Sequence, residues 1–167
     1  MKPSVRQTLE QFTYEASQDQ AWEERFGPVT PGTVSLPERV EVKFIADDDG
    51  CEELKNLVGK PVIGLDCEWR PNLTKFIKTD TAILQISDET TCYIIDLIAL
   101  KGSQKLDRVL KAVFMDESTL KLGLALRGDL TRIQNTFGEA VSFAEKMVRY
   151  LDLGLLHQDL MEFKEKP

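Results

Sequence analysis

The run Pro61-Val62-Ile63-Gly64-Leu65-Asp66-Cys67-Glu68-Trp69-Arg70 decides how the rest of the chain is read, because it sets two carboxylates into an apolar stretch. Apolar runs of about four to eight residues between turn signals mark interior strands. Gly59-Lys60-Pro61 precedes this one and Pro71-Asn72 follows it. Side chains alternate across a strand, so Asp66 and Glu68 are expected on one face and Leu65, Cys67 and Trp69 on the other. Two carboxylates in a low-dielectric site repel, so either one takes up a proton or a cation sits between them. Oxygen ligands suit magnesium and manganese, which bind through one or two carboxylates together with water and phosphate oxygens. The spacing also permits a plainer reading, in which both acids are solvated at a strand end.

Working outward, 167 residues with 42% hydrophobic and 29% charged side chains suit one domain with a real core. No apolar run approaches the roughly 20 residues of a membrane helix, and Met1-Lys2-Pro3-Ser4 lacks the hydrophobic segment of a signal peptide. The expectation is no membrane contact and an intracellular location, cytoplasm or nucleus. Cys51, Cys67 and Cys92 are odd in number and form no Cys-x-x-Cys pair, which argues for reduced thiols, two of them in the core. The formal charge is -7, with 7 basic and 12 acidic residues before Val62 and 14 and 16 from there on. Phosphate contacts come from Lys and Arg, so this composition counts against a protein that holds nucleic acid by charge alone. It weighs less against a metal-dependent nuclease, whose ions bring their own positive charge.

The spacing of Val5, Leu9, Phe12 and Ala16 predicts an amphipathic helix from Ser4 towards Phe26, and the prolines and glycines of Gly27 to Pro37 predict an extended linker. Residues 1–37 are thus read as helix and Pro-rich linker, and 38–167 as the domain proper. Val40 to Ile45 alternates as a half-exposed strand, and Asp47 to Asp49 are placed to cap a helix running to about Val58. Asn72 to Asp80 reads as a loop. Thr81 to Ser87 and Thr91 to Leu97 predict a hairpin about Asp88-Glu89-Thr90. A helix over Ser103 to Met115, a strand over Thr119 to Leu126, a helix opened by Arg127-Gly128-Asp129, a strand over Lys146 to Leu153 and a helix from about Leu155 to Phe163 follow. Antiparallel strands first, then strands alternating with helices, predict an α/β fold with a mixed sheet flanked by helices.

Several of these stretches resemble one family. Ile63-Gly64-Leu65-Asp66-Cys67-Glu68-Trp69 resembles the first motif of the DEDD superfamily of 3′-to-5′ exonucleases, whose Asp-x-Glu lies on the first core strand of a ribonuclease H-like (DnaQ-like) fold. Leu84-Gln85-Ile86 and Ile95-Asp96-Leu97 resemble its hairpin, and Leu122 to Leu130 its second motif, in which Asp129 follows a strand and opens a helix. The Asp-Cys-Glu-Trp form is similar to ribonuclease D, Werner-type and Nibbler-type exonuclease domains. The resemblance spans roughly Glu38 to Phe163. It implies two divalent ions, Mg2+ or Mn2+, about 4 Å apart, that activate a water and stabilise the leaving oxygen of the terminal phosphodiester. It further implies that Asp66 bridges both ions, Glu68 holds the first and helps place the terminal nucleotide, and Asp129 holds the second through water. Trp69 would wall the pocket of the last base. The implied partner is a single-stranded nucleic-acid 3′ end, RNA slightly favoured over DNA.

The residues themselves leave other readings open. Asp before a helix is a good N-cap, which suits Asp129; Trp69 suits a core position; Asp96 and Asp152 suit strand-end capping. The family's third motif, Tyr or His followed four residues later by Asp on a C-terminal helix, is not found: counting four onward from Tyr14, Tyr93, Tyr150 and His157 gives Gln18, Leu97, Gly154 and Met161. The expectation is a domain cut short before that motif, lacking the C-terminal helices and weakly active or inactive alone, with room for a protein partner on that side. The alternative is a non-catalytic module on a remnant nuclease fold that binds nucleic acid or a protein.

Overall fold

A computed structural model describes residues 39–70 and 79–165, all within one compact unit that begins at Arg39. The helix and linker predicted over residues 1–37, and most of the loop predicted after the central strand, lie outside the described residues. Strands β1 (Glu41–Ile45), β2 (Val62–Trp69), β3 (Thr81–Ser87), β4 (Thr91–Asp96), β5 (Leu120–Gly123) and β6 (Tyr150–Asp152) form one sheet in the order β1-β4-β3-β2-β5-β6. β2, β3 and β4 run antiparallel in turn, while β1 joins β4, β5 joins β2 and β6 joins β5 in parallel. Helices α1 (Gln104–Phe114), α2 (Leu126–Phe137) and α3 (Leu153–Glu165) and a 3-10 helix (Gly50–Leu57) connect or flank them. This is the mixed α/β architecture expected from the strand and helix pattern.

Local chemistry explains the elements. The β3-β4 turn forms because Asp88 Oδ1 accepts the amides of Thr90 and Thr91, both at 2.8 Å, while Lys60 Nζ lies 2.6 Å from Oδ2. Burial alone would raise the Asp88 carboxyl; Lys60 and the turn amides outweigh it and hold it at about 2. Ser103 caps α1, its hydroxyl accepting the Leu106 amide at 3.0 Å. Leu106, Val109, Leu110, Val113 and Phe114 then recur at helical spacing and are buried. Between Gly50 and Leu57 the buried residues are Cys51, Leu54 and Leu57. An interval of three suits a 3-10 helix better than the α-helix expected there.

The sheet has two unlike faces. Ile63, Leu65, Cys67, Leu84, Ile86, Tyr93 and Ile95 point to one side and share a single core with Leu110, Phe114, Leu126, Ile133 and Phe137 of the helices. On the other side Val42, Phe44 and Val62 are exposed, and a hollow of about 300 Å³ is lined by Gly64, Asp66, Gln85, Ser87, Cys92, Leu122 and Leu153 among others. Lys121 of β5 is fully buried, its ammonium donating to the Asp116 carbonyl at 2.5 Å.

Candidate active site

β2 places its two acids as alternation requires: Asp66 and Glu68 are exposed on one face, and Leu65 and Cys67 are buried on the other. Trp69 departs from that pattern. The register with β3 shifts between Glu68 and Trp69, and the indole is 36% exposed instead of joining the core. It stacks against Arg132 of α2, whose guanidinium carbon lies 4.0 Å from the ring centroid.

β5 determines what lies beside these acids. It pairs with β2 only from Val62 to Gly64, so Asp66 and Glu68 extend beyond it along an open edge. There the chain turns through Ala125, which adopts a left-handed backbone (φ 58°, ψ 31°), and enters α2. Asp129 therefore does not cap its helix, one of the readings the sequence allowed, but stands within its first turn, which Ala125 opens. Its amide donates to the Ala125 carbonyl at 3.3 Å, and its carboxylate caps nothing: Oδ2 is buried without a hydrogen-bond partner.

Electrostatics link the three acids. Burial, then the charges of Asp66, Asp152 and Glu68, push the Asp129 carboxyl up to about 6. Burial, then Asp129, Asp66 and Glu68, raise the Cys67 thiol. The three acids thus act on one small region. Among the described residues, however, no three carboxylate, imidazole or thiol groups are drawn in around a single point. Asp66 lines the hollow on the open face, whereas Asp129 and Trp69 line a separate one of about 660 Å³ together with Arg127, Thr131, Arg132 and Asn135. The donor set still suits a hard divalent cation, being all carboxylate oxygen with one buried oxygen unsatisfied.

Two strand-end acids behave as their positions suggest. Asp96 Oδ1 accepts the amides of Ile98 and Ala99 at 3.0 and 2.9 Å. Asp152 Oδ1 accepts Gly154 N–H at 3.0 Å, but also Ala125 N–H at 3.1 Å. Burial would raise its carboxyl; the amides of Ala125, Gly154, Leu155 and Leu126 outweigh that and hold it below the usual range. Arg127, Arg132 and Asn135 carry no sequence signal beyond their position on the polar side of α2, and the bond from Asp152 to Ala125 joins residues 27 positions apart. His157 is exposed on α3.

Similarity to known proteins follows these features. The chain is 26% identical over 105 residues to the exonuclease mut-7 homolog of Homo sapiens, covering 59% of this chain and 12% of that protein. Its fold resembles the Nibbler EXO domain of Aedes aegypti, with a TM-score of 0.61 at 23% identity, over 80% of this chain and 62% of that one. It also resembles the catalytic core of RRP6 from Trypanosoma brucei, with a TM-score of 0.60 at 20% identity, over 80% of this chain and 35% of the other. The sheet with its flanking helices is thus the ribonuclease H-like fold of these exonucleases, and the chain spans less than two thirds of each relative's length. Residues 42–165, with the Asp66–Glu68 strand and the helix bearing Asp129 inside them, match the model of the 3′-5′ exonuclease family, and the chain belongs to that family.

Proposed function

We propose that this chain takes the 3′ end of a single-stranded nucleic acid, RNA in preference to DNA, and that Asp66, Glu68 and Asp129 hold Mg2+ or Mn2+ for hydrolysis of its terminal phosphodiester. The family is one of hydrolases that use divalent metal ions. The observation that carries the assignment to these residues is the buried, unpartnered Oδ2 of Asp129, in a carboxyl raised to about 6 by burial and by Asp66, Asp152 and Glu68. A group so placed is relieved by a cation or a proton. When bound, such ions supply an activated water and positive charge at the departing oxygen. The chain supplies the rest: Asp66 and Glu68 offer their oxygens from the exposed face of β2, and Asp129 gives up its proton to offer its own. Trp69 and Arg132, stacked on one another in the hollow they share with Asp129, offer flat surfaces against which the last base can stack. Support for RNA comes from the fold relatives, one of which, RNase D of Trypanosoma brucei, was solved in complex with RNA U12.

The test is shortening of a 5′-labelled single strand by the purified chain with Mg2+ or Mn2+. Activity lost on Asp66→Ala supports the proposal, and activity indifferent to that change overturns it. One observation favours a second reading, a module that binds ends without cutting them: the three acids are not closed around one point. End binding that is insensitive to chelator and never followed by shortening would establish that reading instead.

A further inference from the structure

Asp152 closes β6 and opens α3, yet one of its bonds leaves both elements. Its Oδ1 receives Gly154 N–H at 3.0 Å and Ala125 N–H at 3.1 Å. The side chain is 7% exposed, and its strand partner is Gly123, two residues before that turn. The carbonyl of Ala125 in turn accepts the amides of Gly128 at 2.7 Å and Asp129 at 3.3 Å. Through Ala125 the Asp152 carboxylate is therefore connected to the backbone of Asp129. Ala125 lies in the left-handed region, which side chains with a Cβ rarely adopt without a partner fixing the peptide.

We propose that Asp152 is a positioning residue: through Ala125 it sets the first turn of α2 and so fixes where the Asp129 carboxylate stands. The proposal rests on the reading of Asp129 as a cation ligand. A residue that merely capped α3 would need the amides of Gly154 and Leu155 alone; the bond to Ala125 adds nothing to that cap and everything to the turn. Outer residues that orient metal ligands typically influence affinity about 10- to 100-fold.

Three variants separate the roles. Asp152→Asn keeps an acceptor oxygen at the same reach. Asp152→Ser keeps a good N-cap for α3, but its arm is one atom shorter and does not also span to Ala125. Asp152→Ala removes both. Two readouts are taken on the full chain: amide exchange at Gly128 and Asp129 without metal, with the Leu110 amide as a core control, and Mn2+ affinity from the spin resonance of free Mn2+. The expected result is that Asp152→Ser speeds exchange at Gly128 and Asp129, leaves Leu110 unchanged and weakens Mn2+ by about tenfold, while Asp152→Asn stays within about twofold on both counts. Unaltered exchange at Gly128 and Asp129 in Asp152→Ser overturns the proposal, as does an Asp152→Asn variant as loose as Asp152→Ala. If the wild-type chain binds Mn2+ no better than Asp66→Ala, the metal assignment fails, and the exchange data still decide whether Asp152 holds the turn.

Discussion

At Asp129, burial and three neighbouring acids all act in one direction, and the carboxyl reaches about 6 against roughly 3.9 for an unfolded aspartate. The folded, metal-free chain therefore holds this proton more tightly than the unfolded one. The stabilisation is complete below about 4 and is lost as pH rises through about 6. Thermal melting in the presence of chelator is expected to fall across that window, and Asp129→Asn to flatten the fall; a wild-type curve without it would contradict the burial of this carboxyl. Trp69→Leu, which removes a stacking surface but no charge, is expected to weaken binding of a single-stranded end by about 1–3 kcal/mol, read by fluorescence anisotropy. Legibility in the sequence differed sharply among these residues. Asp66 and Glu68 were visible because strand alternation alone puts them on one face. The place of Asp129 inside its helix was not, since a left-handed alanine rather than the expected aspartate begins it, and no local pattern announces an alanine in that conformation. Arg132 was equally hidden, because its stacking partner is a strand residue whose exposure follows from a register shift.

Among the elements, β5 has no room for a side chain at Gly123. A Cβ on Gly123 would stand 2.3 Å from Leu126 Cδ2 and 2.6 Å from the Leu65 carbonyl. The backbone oxygen of β2 cannot swing aside as a side chain can. Gly123→Ala is expected to destabilise by about 1–3 kcal/mol in denaturant unfolding, with α2 pushed away from β2. Ser103→Ala, which removes the α1 cap, is expected to cost about 1 kcal/mol and to leave the site untouched. Most strands and helices were legible because their apolar periods are clean. β5 was expected to run to Leu126, since Leu124 and Ala125 continue the apolar run; the backbone turn at Ala125 ends it earlier. Lys121 lay within that run with nothing to show that its stem would be fully buried and its ammonium satisfied by a carbonyl.

On the scale of the whole molecule, a formal charge of -7 sets the terms for any polyanionic partner. Lys and Arg are outnumbered, so binding of nucleic acid is expected to depend on divalent cations and to show a shallow dependence on monovalent salt. A steep salt slope, measured by anisotropy with chelator present, would reveal a basic track where composition predicts none. The sheet itself carries the last consequence. Past Gly64, β2 has β3 on one side and no strand on the other, so the gap occupied by the acids is defined by where its four-residue neighbour gives out. Length there sets a distance: lengthening β5 by a pair of extended residues would lay peptide alongside the backbone of Asp66 and Glu68 and shift the start of α2 along β2. Such an insertion would leave Asp66 and Glu68 in place on β2 and carry the turn at Ala125, and with it Asp129, away from them.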